Sequence, residues 1–145
     1  MSSWVQVLAT FDCRTSDPSD AFGKECVIRL PDRDLFEDDD EFYKAMDDAM
    51  DGYRKELERY RESPGSYLPM GSEGTLEMVE CRKPWHDAGE RFVTVYGGLR
   101  DRDSGNFKEI EEWFDRSCGR CDVHDAICWM SDGTNSKVLQ FHEYE

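Results

Sequence analysis

The sequence predicts one α+β domain in which two amphipathic helices cover an antiparallel sheet. Two segments, Asp39–Glu62 and Phe107–Cys118, place their apolar residues at helical spacing. Several shorter segments alternate apolar and polar residues, as strands with one buried face do. The 145 residues contain no linker and have the length of a single domain.

The first helix is indicated by an apolar stripe whose members are three or four residues apart. Acidic residues stand at its start, where they favour the positive end of the helix dipole, and Ser63-Pro64-Gly65 ends it. The second helix buries a comparable stripe. The first stripe comprises Phe42, Met46, Ala49, Tyr53, Leu57 and Tyr60, and the second comprises Phe107, Ile110, Phe114 and Cys118.

The first strand is predicted over Trp4–Phe11, a segment rich in β-forming residues. A loop is expected over Asp12–Lys24, which contains Pro, Gly and several Ser and Asp residues. A short strand at Cys26–Leu30 is expected to pair back onto the first strand. Four further strands are predicted at Thr75–Cys81, Arg91–Leu99, Val123–Met130 and Ser136–Tyr144.

The order of the main elements is that of the ferredoxin-like split βαβ repeat (βαββαβ), followed by one extra C-terminal strand. In this fold both helices lie on one face of the antiparallel sheet, because each helix has a single apolar stripe that needs cover. We therefore expect at least five strands, with Trp4–Phe11 in a central position.

The charge disfavours some classes of function. The chain has 18 Lys and Arg against 33 Asp and Glu, which gives a net charge of −15 and a pI near 4.5. Nucleic acids and anionic membranes repel such a protein, so we expect neither as a direct partner. The sequence shows no secretory signal and no apolar run of membrane-spanning length. We expect a soluble cytoplasmic protein with reduced cysteines.

The negative charge is concentrated between Asp32 and Glu58, a segment with a net charge of −8. Four acids of the first helix form a column about 27 Å long on the side away from the apolar stripe. One DNA strand carries roughly eight phosphates over that length. The column consists of Asp40, Asp47, Asp51 and Glu58; Asp48 lies beside it, and Asp34, Glu37 and Asp38 extend it.

Two short segments resemble a known pattern. Gly71-Ser72-Glu73-Gly74 precedes the second main strand, and Gly97-Gly98-Leu99-Arg100-Asp101 follows the third. With Trp113 in the next helix, they are similar to the GSEG and GDLRD turns of small uncharacterised ferredoxin-like proteins encoded by bacteriophages. Gly98 stands where that pattern has Asp. The resemblance implies a phage origin and implies no catalytic residue.

A compact run of potential metal ligands precedes the C-terminus: Cys118, Cys121, His124 and Cys128. Its spacing is reminiscent of a zinc knuckle but tighter. In an extended strand, however, His124 and Cys128 would lie about 13 Å apart, too far to share one ion. The alternative is that Cys118 and Cys128 are small core residues. We predict no metal and no cofactor. A zinc-stabilised C-terminal hairpin is the alternative for this run.

No catalytic motif is present. Glu73 and Asp101 stand in turns near strand ends and are one conceivable acid/base pair. Carboxylates in turns are more often solvated or capping residues, so no catalytic residue is predicted.

The leading hypothesis is a non-enzymatic phage-type interaction protein. Its acidic surface would imitate nucleic acid in the basic groove of a host defence effector or nuclease, such as a CRISPR effector, and inhibit it. The alternative is a small phage accessory or structural protein whose acidity serves only solubility. A third hypothesis is an enzyme that acts on a small cationic or nucleotide ligand.

Overall fold

The computed structural model describes residues 4–71, 75–83, 89–100 and 107–143. In this part of the chain, five antiparallel strands form one open sheet with three α-helices, which confirms the α+β class. The strands are β1 (Trp4–Arg14), β2 (Leu76–Arg82), β3 (Glu90–Arg100), β4 (Asp122–Ser131) and β5 (Ser136–His142). The helices are α1 (Pro18–Phe22), α2 (Asp39–Glu62) and α3 (Phe107–Cys118).

The strand order across the sheet is β2-β3-β1-β4-β5, so β1 is central, as predicted. It pairs with β3 along one edge and with β4 along the other, and Leu8 lies opposite both Tyr96 and Trp129. Because both edges of β1 are hydrogen-bonded, no further strand can join it. The predicted strand at Cys26–Leu30 is therefore wrong, and this segment is irregular.

The strand predicted at Arg91–Leu99 is confirmed as β3, and Gly97–Arg100, which the phage-like pattern places in a turn, is a paired part of this strand. Gly97 has φ +149° and lies opposite Leu76 of β2, where a Cβ atom would clash with the carbonyl oxygen of Thr75. Glycine is required here because the neighbouring backbone approaches so closely. Residues 72–74 and 101, which complete the two segments of the phage-like pattern, lie outside the described residues.

Every second side chain of β1 enters the main core, beginning with Val5 and ending with Cys13. The core is closed by α1 and α3. Phe11 of β1 stacks on Phe22 of α1 with ring centroids 4.3 Å apart, and it meets Trp113 of α3 edge-on. The indole Nε1 of Trp113 donates a 2.7 Å hydrogen bond to the Phe22 carbonyl, which joins the two helices inside the core.

Part of the segment predicted as a loop, Asp12–Lys24, is regular structure: it contains the end of β1 and all of α1. The Asp17 carboxylate caps α1 by accepting hydrogen bonds from the backbone N–H groups of Ser19 and Asp20. Pro18 occupies the first helical position, which needs no N–H donor. The Asp-Pro pair was thus a helix-start signal, although the helix is only five residues long.

The predicted bounds of α2 are confirmed, but the helix stands apart from the main core. None of its side chains is buried. Its C-terminal half contributes Tyr53, Leu57 and Tyr60 to a separate cluster formed with Cys26, Tyr67 and Met70. The expected layer of two helices on one sheet face is therefore not established, since α3 packs on the main core and α2 on this second cluster. Among the described helices, none is long and apolar enough to cross a membrane.

The difference between the two helices can be measured with a matched pair of substitutions. Phe114→Ala in α3 removes a ring that is 2% exposed, and should lower the free energy of unfolding by about 3–5 kcal/mol. Phe42→Ala removes a half-buried ring of α2 and should cost less than about 2 kcal/mol. Urea denaturation measures both losses. Equal losses would show that α2 belongs to the main core.

Candidate functional site

The eight acids predicted as a binding surface are all exposed. Five of them lie on α2: the acidic column (Asp40, Asp47, Asp51 and Glu58) and the neighbouring Asp48. The other three precede the helix, with Asp34 in a 3₁₀ turn over Arg33–Leu35. The structure thus brings the predicted residues to one helix and the segment directly before it.

Local hydrogen bonds hold the segment before α2. The Asp32 carboxylate accepts from the backbone N–H of Asp34 at 3.0 Å, and the Asp38 carboxylate accepts from that of Asp40 at 2.9 Å. Arg33 forms an ion pair with Asp39, and its guanidinium lies 5.3 Å from the Phe42 ring centroid. These contacts attach the 3₁₀ turn, which carries Asp34, to the first turn of α2.

Most of these exposed carboxylates have no cationic side chain paired with them in the part of the chain that is described. Asp51 forms an exposed 3.2 Å ion pair with Arg54. Within the described ranges, the other seven form no ion pair. Exposed pairs such as Asp51–Arg54 contribute little to stability. Apart from Asp38, which caps α2, the acidic side chains therefore take little part in holding the fold. It remains available for a cationic partner.

A second group of titratable side chains, missed by the sequence analysis, lies where β1, β3 and β4 meet at one end of the sheet. The pairing of β1 with β4 shifts register between Asp12 and Cys13, and His124 is the extra residue in this bulge. Without the bulge, strict alternation would not bring the imidazole to the Asp12 side of the sheet. The sequence gives no signal for the register shift.

His124 lies between two carboxylates. Its Nδ1 is 2.8 Å from Glu143, and its Nε2 is 3.2 Å from both oxygens of Glu90. Hydrogen bonding to Glu143 and then to Glu90 raises the pKa of the imidazole above its ordinary value, against the opposing effect of burial. When the ring is protonated, it donates to both carboxylates and links β3 and β4 to the residue that follows β5.

The same end of the sheet carries three side chains of the kinds that bind metal ions. Their ligand atoms lie within 4.8 Å of one another, and no other such group occurs in the part of the chain that is described. The three residues are Asp12, Glu90 and His124. Lys83 already supplies positive charge there, since its Nζ lies 2.5 Å from Asp12 and 3.9 Å from Glu90. A metal ion would have to displace this ammonium and deprotonate Nε2 of His124. The residues therefore fit a closed ion-pair network better than a metal site.

Among the described residues, the four members of the Cys/His run do not form one set of ligand atoms close enough to share an ion. Cys118 and Cys128 are buried in the main core, which agrees with the alternative interpretation of these two residues. Cys121 instead interacts with the Cys13 thiol of β1, and this interaction raises the pKa of Cys13 and lowers that of Cys121. His124 joins the carboxylates described above. The proposed acid/base pair, Glu73 and Asp101, lies outside the described residues.

The sheet has an open face, defined here as the face opposite α1 and α3. In the described structure no helix packs over it, and eight large apolar side chains on it are each 37% to 52% exposed. A depression of about 340 Å³ at one end is lined by residues including Asp12, Phe92, Ile127 and His142. The eight apolar residues are Trp4, Leu8, Val79, Phe92, Tyr96, Ile127, Trp129 and Val138.

Comparison with known proteins finds no matching family model, no similar curated protein and no similar solved structure. The functional interpretation therefore depends on the two surfaces described above, the acidic surface of α2 and the open face of the sheet.

The raised pKa of His124 predicts a pH-dependent coupling with Glu143. The imidazole has a pKa of about 6.5 in the unfolded chain and a higher pKa in the folded protein. The stabilisation is therefore complete below about pH 6 and is lost as the pH rises through the pKa of the folded protein. A double-mutant cycle of His124→Gln and Glu143→Gln should give a coupling of about 0.5–1 kcal/mol near pH 6 and almost none near pH 9, measured by urea denaturation. Equal coupling at both pH values would contradict the charged pair.

Proposed function

We propose that this protein is a non-enzymatic, bacteriophage-type inhibitor that acts in the host cytoplasm. Its acidic surface occupies the basic groove of a host nucleic-acid-binding defence effector or nuclease, of which a CRISPR effector is the leading case. The observation that carries the proposal is the exposure of the acidic column and its four neighbours along and before α2, with one ion pair among the eight.

The physical basis is charge complementarity. A groove built for nucleic acid presents Lys and Arg at the spacing of phosphates, and carboxylates along a rigid helix can meet the same cations. The acidic column is about 27 Å long, which corresponds to roughly eight phosphates of one strand. The three acids before α2 add to its charge density. Such complementarity speeds association and fixes the register of the complex more than it adds affinity.

The attachment of α2 favours this function. The helix is anchored through the half-buried side of its C-terminal half and has no buried side chain. Its polar side is therefore free to enter a groove without disturbing the main core. Charge-neutralising substitutions on this side should consequently separate binding from folding.

We also propose that the architecture is the ferredoxin-like split βαβ arrangement, which agrees with the phage resemblance. The strand order supports it. The connection from β1 through α2 to β2 leaves room for β3 between the two strands, and the connection from β3 through α3 to β4 leaves room for β1. The strand β5 extends the sheet at the edge beside β4.

The proposal predicts that neutralising the column abolishes inhibition. The variant Asp40→Asn/Asp47→Asn/Asp51→Asn/Glu58→Gln should fold as stably as the parent, because exposed charges contribute little and self-repulsion falls. Its affinity for the effector should decrease by at least about 100-fold, since four attractive contacts between carboxylates and the cations of the groove are lost. A panel of purified CRISPR effector complexes, assayed for target-DNA binding with each variant as competitor, provides the measurement.

The matched control removes the same number of charges elsewhere. Asp20→Asn/Glu112→Gln/Asp115→Asn/Asp122→Asn neutralises four exposed acids outside α2. It should inhibit like the parent, and inhibition by the parent should weaken as salt rises. If both quadruple variants inhibit equally, total charge rather than the column is responsible. If the parent competes with no effector in the panel, solubility becomes the better explanation of the acidity.

A further inference from the structure

We propose that the open face of the sheet is a homodimer interface, in which two copies of the chain pack their open faces together around a two-fold axis. This inference does not rest on the proposed function, because it uses none of the residues of the acidic surface. It rests on the apolar area of the open face, on its lack of central charge and on the position of β1.

The exposed apolar area matches what a dimer needs. An aromatic side chain offers about 150–250 Å², so eight large side chains exposed by 37% to 52% present on the order of 600–800 Å². Each partner in a standard specific interface contributes about 800 Å². Monomers seldom expose an apolar patch of this size without a partner. The aromatic residues among the eight, two Trp, one Tyr and one Phe, are also those enriched in interface centres.

The centre of the open face carries no charge, in contrast to a chain with a net charge of −15. Along one row, the uncharged Tyr96, Leu8, Trp129 and Val138 are neighbours on successive strands β3, β1, β4 and β5. The charge in this row stands at the edge, where Glu77 of β2 pairs with Arg29. The next row contains Thr94, Thr10 and Ile127, without a charged residue. A second copy of this chain offers the same uncharged apolar surface, whereas a partner chosen for charge complementarity would find nothing to pair with here.

The strand order places β1 at the dimer axis. Because β1 is the third of five strands, a two-fold rotation that stacks two such sheets superposes β1 on β1. Packed sheets lie about 10 Å apart. Leu8 is 48% exposed near the middle of β1, so the two copies of Leu8 should face each other across the axis. The acidic surface is carried by α2 and the segment before it, so the contact uses none of its residues.

The test is the molar mass in solution of the parent and of two variants. The parent should sediment as a dimer of twice 16.9 kDa, with dimerisation strengthened by salt because both chains are acidic. Leu8→Glu and Leu8→Lys should each weaken dimerisation by at least about 100-fold, because each charge meets its own copy. An equimolar mixture of these two variants should recover the dimer as a heterodimer.

Controls separate the interface from general effects. Leu35→Glu changes a leucine that is 80% exposed but lies outside the open face, and it should stay dimeric. Circular dichroism should show that both Leu8 variants are folded, since this side chain points away from the core. A parent that stays monomeric at about 100 µM in high salt overturns the proposal. So does a dimer that persists in Leu8→Glu, or a mixture that fails to recover it.

The result is distinguishable from failure of the proposed function, because the two equilibria respond oppositely to salt. Effector binding through the acidic surface should weaken as salt rises, whereas association of two acidic chains through an apolar face should strengthen. A monomeric Leu8→Glu variant that still competes with an effector would show that the acidic surface works without the dimer.

Discussion

The pairing of β1 on both edges is the constraint on which the rest of this structure depends. It makes β1 the middle of five strands and gives its alternate side chains two different environments. One set, from Val5 to Cys13, forms the floor of the main core beneath α1 and α3. The other set, which includes Leu8, forms the centre of the open face. Since a one-residue slip would exchange these two sets, burial of Phe11 against Phe22 and Trp113 fixes the register of the sheet and the composition of its open face together.

Charge and apolar exposure are separated on this molecule. The carboxylates of the acidic surface are carried by α2 and the segment before it, while the centre of the open face is uncharged. At one end of the sheet the charged groups are paired with one another: Lys83 pairs with Asp12, and His124 with Glu90 and Glu143. Under the two proposals, one chain would attract a basic partner through α2 and a second copy through the sheet, with opposite dependence on salt.

The sequence was informative where one physical rule decided the outcome. The apolar stripes located α2 and α3 at their observed bounds. Alternation located four of the five strands to within a few residues, and for β1 it located the start but not the end. It failed where tertiary pairing decided. Ile28 and Leu30 have strand-like character, but β1 had no free edge for them. The bulge that redirects His124 is a register effect between distant strands, and the sequence carries no local sign of it. The acidic surface could be predicted because charge and helical spacing are both local, whereas the open face depends on which side α1 and α3 cover.

The central claim is that α2, rather than the sheet, meets the effector. Hydrogen–deuterium exchange of the free protein and of its complex with a purified CRISPR effector tests it most directly. Because α2 has no buried side chain, its amides should exchange early in the free protein, ahead of those of β1. Binding is predicted to slow exchange throughout Asp39–Glu62 and to leave the strands unchanged. Slower exchange confined to the strands of the sheet would contradict the account and assign the effector to the open face.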